Sequence, residues 1–280
     1  MSQQIIYDLG SNKGEDTEYY LRLGYSVVSV DGNPDFSSHM QSRFGEEIRS
    51  GQLTHLNLAV GESDGEVDFY VCDDKTEWSS VFEMDRGLDT RKIRVPQSSL
   101  QPILKKHGPA HYIKIDIEGN DVLCLSQLTK ESAPQYISLE CGPIEEMIEL
   151  LTPLGYRKFK LISQFHFLPI QSNAPVRYAF AKAAIFIFDH LDRIPNRFRR
   201  PVRLTGEFFD RKSLTIAGTV FARGSTGPFG NDAPGQWVDS TTLLRRYGEL
   251  RERFARRKAR TPLYDLPEYS LWMDLHAARD

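Results

Sequence analysis

Three apolar residues, Ile5-Ile6-Tyr7, run directly into the turn Asp8-Leu-Gly-Ser-Asn-Lys-Gly14, and a helical pattern over residues 15–23 leads out of it. A strand, a tight glycine turn and a helix follow one another in a single stroke. Such a turn lets backbone N–H groups approach a ligand closely at a helix start. A second apolar run, residues 25–30, ends on Asp31, 23 positions after Asp8. An acid at about 20 residues' distance can accept hydrogen bonds from ribose hydroxyls, so the first expectation is a nucleoside-bearing ligand.

The alternation continues down the chain. Gly32-Asn33-Pro34 breaks it, residues 36–48 read as a helix, and residues 53–60 as a third strand. Residues 66–71 alternate polar with apolar, as a half-buried strand does. Residues 73–99 read as polar and irregular, with Trp78-Ser79-Ser80 inside them, where an acceptor could dock. A short helix is expected over 99–107, with Pro102 in its first turn. Then come a strong strand at 111–118, a helix at 120–128, a strand at 135–140, a helix opened by Gly142-Pro143, and a strand at 157–162. That order predicts an α/β doubly wound, mostly parallel sheet. After about residue 165 the pattern changes. An apolar helical stretch at 176–191, an Arg- and Pro-rich link at 193–203, a Gly/Pro loop at 224–235 and an amphipathic helix at 240–260 suggest an α-rich insertion or cap. The expected organisation is a core at 1–165, a basic helical insertion at 166–265, and a segment at 266–280 that returns to the sheet.

Composition bounds the function. The net charge of −3 does not suggest a nucleic-acid binder, but 26 acids face 16 Lys and Arg in residues 1–160, against 12 and 19 in 161–280. The arginines of 193–203 and 245–260 therefore read as solvated faces, a surface for an anionic acceptor or carrier, or a peripheral membrane contact. Cys72, Cys124 and Cys141 show no CxxC spacing, which argues against a disulfide framework or zinc site and fits a reducing compartment. The chain enters its first strand without a charged or apolar leader, so no signal peptide is expected. The longest apolar stretch, 178–188, is too short to span a bilayer. Cytoplasmic residence is the expectation.

The turn narrows the ligand further. A dinucleotide fingerprint needs glycines at i, i+2 and i+5; here Gly10 and Gly14 flank Ser11-Asn12, and Glu15-Asp16 open the helix. Two acids there favour the helix dipole but repel a pyrophosphate. A cationic nucleoside without phosphate, S-adenosylmethionine, suits the turn better and gives Asp8 something positive to meet.

Asp8-Leu-Gly-Ser-Asn-Lys-Gly14, Val30-Asp31-Gly-Asn-Pro34, Leu58-Ala-Val60, Ile113-Lys-Ile-Asp-Ile-Glu-Gly-Asn-Asp121 and Ile137-Ser-Leu-Glu140 together resemble the FkbM family of S-adenosylmethionine-dependent methyltransferases. The resemblance covers about residues 4–165. It implies a class I methyltransferase (Rossmann-like) sheet with a final antiparallel strand, and O-methylation of a small-molecule, sugar or natural-product hydroxyl. The family pattern usually has Ala in place of Ser11 and often Glu in place of Asp31. The expected cofactor residues are Asp8, Gly10, Ser11, Asn12, Gly14, Asp31, Gly32 and Ala59.

Lys114, Asp116 and Glu118 alternate with Ile113, Ile115 and Ile117, so all three charges are expected on one face of a strand that is normally apolar on both. Methyl transfer to a hydroxyl needs a base as the oxygen attacks, and Asp116 is the first candidate, Glu118 the second. Glu140, ending the next strand, is a third. Pairing with Lys114 or helix capping is the bland alternative. No metal site is assigned, although the clustered acids raise that question. His55, Asn57 and His166 are weaker candidates. Two other functions stay open: a degenerate methyltransferase-fold binding protein, and an NAD-dependent oxidoreductase, which the glycine spacing disfavours.

Overall fold

The first strand, β1 (Ile5–Leu9), feeds α1 (Glu15–Arg22) through the glycine turn, and β2 (Ser26–Asp31) follows. In the computed structural model, residues 3–73, 78–83, 89–164, 169, 215–216, 219–221, 224–258 and 272–280 are described. The expected helix at 176–191, the link at 193–203, His166 and residues 266–271 lie outside them. Beyond β2 come α2 (Pro34–Arg43), α3 (Gly45–Ser50), β3 (Leu53–Asn57), β4 (Ala59–Val60), β5 (Gly65–Val71), β6 (Arg91–Ser98) and α4 (Leu100–His107). Then follow β7 (Ala110–Ile115), α5 (Asp121–Ser126), β8 (Tyr136–Glu140), α6 (Ile144–Leu151) and β9 (Tyr156–Ser163). The short pair β10 (Thr215–Ile216) and β11 (Thr219–Val220), α7 (Ser240–Lys258) and β12 (Met273–Arg279) complete the described chain.

Seven strands form the main sheet in the order β3-β2-β1-β7-β8-β12-β9. The first five are mutually parallel, and β12 runs antiparallel to both of its neighbours. Layers cover both faces. Tyr7, Leu9, Ile113, Ile115, Ile137 and Leu139 point to the side packed by α4 to α7, while Ile6, Val27 and Tyr112 pack with Tyr19 and Tyr20 of α1. The helices bury spaced apolar positions: Ile144, Met147, Ile148 and Leu151 of α6, and Leu100, Ile103 and Leu104 of α4. Each such side chain contributes roughly 1.5–3 kcal/mol by leaving water. The α2 start is fixed locally: Asn33 caps it, accepting from Asp35 N at 3.1 Å, and Pro34 takes the first position.

Three segments depart from the sequence-based expectation. Residues 36–48 are two helices. The strand expected at 53–60 divides, because Ala59–Val60 leaves the main sheet and pairs with β6. The stretch read as irregular holds that eight-residue strand, β6, antiparallel to β5. Ile93 and Val95 alternate with exposed charges there, and Pro96 at its end masks the pattern.

On the α1 face the register lines up one polar residue from every strand of the main sheet: His55, Ser29, Asp8, Lys114, Ser138, His276 and Lys160. All but His55 are buried. The centre of this row, Asp8 beside Lys114, lies under the functional site.

Candidate functional site

A cavity of about 270 Å³ opens at the carboxyl ends of β1, β2 and β7, where ligands of open α/β sheets bind. Its first wall is the turn. Gly10 has φ 81°, and a Cβ there would lie 1.7 Å from the Asp116 carbonyl oxygen, so only glycine lets the turn close on the chain after β7. Gly10 N and Ser11 N both donate to Val30 O, at 2.9 and 3.1 Å. Asn12 adopts a left-handed φ of 47°. Among the described residues the buried Ser11 Oγ and Asn12 Oδ1 have no hydrogen-bond partner, and both residues line the cavity.

Asp31 and Gly32 form the next part of the wall. One Asp31 carboxylate oxygen accepts from Asn12 N at 2.8 Å and the other from Asn33 N at 2.9 Å. Burial pushes the Asp31 carboxyl up to about 7, against the pull of those two N–H groups. Each oxygen keeps a lone pair. Leu58, Ala59, Val60, Phe36 and Phe69 add apolar surface beside it. The buried, unpartnered polar atoms, a carboxylate and an adjacent apolar slot suit a nucleoside.

The opposite chemistry gathers around Lys114. Its ammonium lies 3.3 Å from Asp8 Oδ1, 3.3 Å from Asp16 Oδ2, 3.5 Å from Asp116 Oδ2 and 3.2 Å from Gly10 O. Burial disfavours its charge, but the three carboxylates outweigh that and hold it protonated, well above the ordinary lysine range. Asp16 and Asp116 are each raised to about 6, by burial first, with Lys114 opposing.

The structure relocates several expected residues. Asp8 is fully buried and off the cavity wall; its positive partner is Lys114, and Thr17 Oγ1 donates to it at 2.5 Å. Gly14 is also off the wall, capping α1 against Phe44 and Met40. Asp16 does not confront a ligand phosphate as a free acid, because Lys114 and two backbone N–H groups occupy it. Gly10, Ser11, Asn12, Asp31, Gly32 and Ala59 do line the cavity.

The three charges expected on one strand face are not on one strand. β7 ends at Ile115, so only Lys114 belongs to it. Asp116 is on the wall in the following loop, its side chain 18% exposed. Glu118, also on the wall, has φ 50°, a conformation costing an ordinary residue about 1–2 kcal/mol. Neighbours hold it there. Ser80 Oγ donates to Glu118 O at 2.6 Å, and the Asp121 carboxylate accepts from Ile117 N and Gly119 N, both at 3.2 Å. Such stored strain is a mark of functional loops.

Glu140 is not on the wall. It accepts from Trp272 Nε1 at 2.5 Å, and burial with Asp116, Glu118, Asp121 and Asp274 nearby raises its carboxyl to about 9. A group protonated at neutral pH does not serve as a base there. The native state keeps a proton that the unfolded chain releases above about pH 4.5, so this residue costs stability increasingly as pH rises from 4.5 to 9. Glu140→Gln is expected to raise the melting temperature at pH 8 and leave it unchanged below pH 4.5. An equal or lower melting temperature at pH 8 contradicts this assignment.

Of the weaker candidates, His55 Nδ1 pairs with Ser29 Oγ at 2.9 Å, off the cavity, and Asn57 donates to Asp31 O at 3.0 Å. Of Trp78, Ser79 and Ser80 in the expected acceptor loop, Ser79 reaches the wall, as does Val81, which was not expected there. Missed in the sequence were Asn120, Phe69, Trp272 and the pair Gly224-Ser225. Phe69 sits in a visibly alternating strand and Asn120 in the block at 113–121; Trp272, Gly224 and Ser225 carry no local signal. Among the described residues, no group of three His, Cys, Asp or Glu is arranged to hold a metal ion, and no helix is long and apolar enough to cross a membrane.

Residues 8–158 match the model of the methyltransferase FkbM domain, which is more than half of the chain. The chain belongs to the FkbM methyltransferase family. The fold is that of class I methyltransferases, and S-adenosylmethionine is the methyl donor of this FkbM domain. Among solved structures, an FkbM methyltransferase from Methylobacillus flagellatus KT is 15% identical with a TM-score of 0.35, over 49% of this chain and 32% of that one. The chain thus spans about a third of that protein. A S-adenosylmethionine-dependent methyltransferase from Geobacter sulfurreducens, in complex with S-adenosyl-L-homocysteine, is 15% identical with a TM-score of 0.30, over 73% of this chain and 76% of that one. A precorrin-6y C5,15-methyltransferase from Geobacter metallireducens GS-15 is 9% identical with a TM-score of 0.33, over 57% and 66%. No residue role passes from these structures to this FkbM protein. No curated protein matches it.

Proposed function

We propose that this FkbM protein transfers a methyl group from S-adenosylmethionine to a hydroxyl of a small-molecule, sugar or natural-product acceptor, with Asp116 as the base. The observation that carries the reading is Asp116 itself. It is a carboxylate on the cavity wall, raised to about 6 by burial and held 3.5 Å from Lys114. It is ionised at neutral pH yet basic enough to take a proton, as a general base must be.

When bound, S-adenosylmethionine supplies an electrophilic methyl on a sulfonium. Asp31 would accept the ribose hydroxyls through its remaining lone pairs, and Ser11 Oγ and Asn12 Oδ1 would gain partners that they lack among the described residues. Phe36, Phe69 and Leu58 cover apolar surface. Asp116 would take the acceptor's proton as the acceptor oxygen bonds the methyl carbon and the carbon–sulfur bond breaks to leave S-adenosylhomocysteine, and Lys114 steadies the carboxylate before that step. Glu118, held by Ser80 and Asp121, orients the acceptor. Three free thiols, Cys72, Cys124 and Cys141, support a cytoplasmic setting.

Because burial raises the Asp31 carboxyl to about 7, it is protonated at lower pH and offers one fewer acceptor site. Affinity for S-adenosylhomocysteine should therefore rise from pH 6 to pH 8 and level off above. A flat profile contradicts the role given to Asp31.

The functional test is methyl transfer from labelled S-adenosylmethionine to paired acceptors that differ only in a free or blocked hydroxyl. Label on the free-hydroxyl member alone supports O-methylation. Label on amine-only acceptors overturns it.

A further inference from the structure

Residues 224–238 cross the α1 face of the sheet, and their backbone finds partners in Asp16 of α1 at one end and in Lys160 of the polar row at the other. Thr226 N and Gly227 N donate to the two carboxylate oxygens of Asp16, at 3.0 and 3.1 Å. At the other end, Lys160 Nζ donates to Gly230 O at 3.2 Å and Ala233 O at 2.7 Å and lies 4.1 Å from the centre of the Trp237 ring. Between these anchors Phe229 stacks on Tyr112 with ring centres 4.2 Å apart. Two N–H groups thus meet an acid and two carbonyls meet a lysine, which supplies buried irregular backbone with partners that a helix or strand would otherwise give. A segment more than 200 residues after α1 is fixed to the first turn of that helix.

This strap brings Gly224 and Ser225 onto the cavity wall, beside Trp272. The two ends of the cavity differ in chemistry. Around Asp31 it is a carboxylate with apolar walls, suited to a nucleoside. Around Lys114, Asp16 and Asp116 it is dense in charge of both signs, suited to a zwitterion. We infer that Gly224 and Ser225, held in place by Thr226 and Gly227 on Asp16, form the wall of the donor's amino-acid end, so that the segment after the insertion selects ligands carrying that end. The inference rests on the S-adenosylmethionine reading above.

S-adenosylhomocysteine and 5′-methylthioadenosine share the nucleoside and sulfur but only the first has the amino-acid portion, which makes them matched probes. Titrations of both into the full chain, parent and variants, test the placement. Ser225→Leu puts bulk into that wall, and Lys160→Met loosens the far anchor without touching the cavity. Each is expected to weaken S-adenosylhomocysteine at least 10-fold while 5′-methylthioadenosine changes less than about 3-fold. Equal losses for both ligands, or no loss for either, in a parent that binds S-adenosylhomocysteine overturn the inference. A parent that binds neither ligand instead defeats the donor reading on which it rests.

Discussion

Lys114→Met is expected to cost about 3–5 kcal/mol of stability at pH 7.5, the range for breaking a buried ion pair by removing one partner. The lysine is 4% exposed and faces three carboxylates that are themselves buried or nearly so. Methionine fills similar space but leaves Asp8, Asp16 and Asp116 uncompensated, and Gly10 O loses its donor. For a chain of this size the melting temperature should fall by on the order of 10 °C. The sign with pH is definite. Without the lysine the buried carboxyls prefer their protonated form, so the folded state binds more protons than the unfolded one and the deficit grows as pH rises. The loss should be smaller at pH 4.5 than at 7.5, and Asp8→Asn added to Lys114→Met should recover part of it. Denaturant midpoints give the answer. Equal midpoints for parent and variant at pH 7.5 would show that the carboxylates around Lys114 do not depend on it.

Asp116→Asn is the second large effect, and it falls on rate rather than stability. The substitution preserves shape beside Lys114 but removes the proton acceptor. Turnover should drop by roughly 10²-fold or more, the lower end of what a positioned base contributes. S-adenosylhomocysteine should bind within about 3-fold of the parent. Burial raises the Asp116 carboxyl to about 6, so the parent's rate should fall below that pH and the variant should lack this acidic limb. A variant turning over within about 3-fold of the parent returns Asp116 to the structural role of a lysine partner.

How far the sequence reaches is visible in these same residues. Apolar periodicity places β1, β2, α4 and β9 within a residue or two, and Gly142-Pro143 marks the start of α6, because each is set locally. The glycine turn and Asp31 are equally local, and six of the eight expected cofactor residues meet at one cavity. Asp8 and Gly14 do not, for reasons that are not local. The register of β1 against β7 puts Asp8 next to Lys114, 106 positions away, and nothing in either strand announces a register between parallel neighbours. Glu118 continues the alternation of residues 113–118 perfectly on paper. The chain leaves the sheet after Ile115, since Asp121 gathers the N–H groups of Ile117 and Gly119 into a turn. Asp16 reads as an ordinary helix-start acid until Thr226 and Gly227 arrive from the far end of the chain. Long-range pairing decides each of these cases, and alternation and spacing carry no information about it.

We assign the cavity at Asn12 and Asp31 to the methyl donor. Calorimetric titration of S-adenosylhomocysteine into the parent and Asp31→Ala tests it most directly. One saturable site per chain is predicted for the parent, and about a 10- to 100-fold weaker one for the variant, the cost of losing hydrogen bonds to a charged acceptor. No binding to the parent, or unchanged affinity in Asp31→Ala, would contradict it.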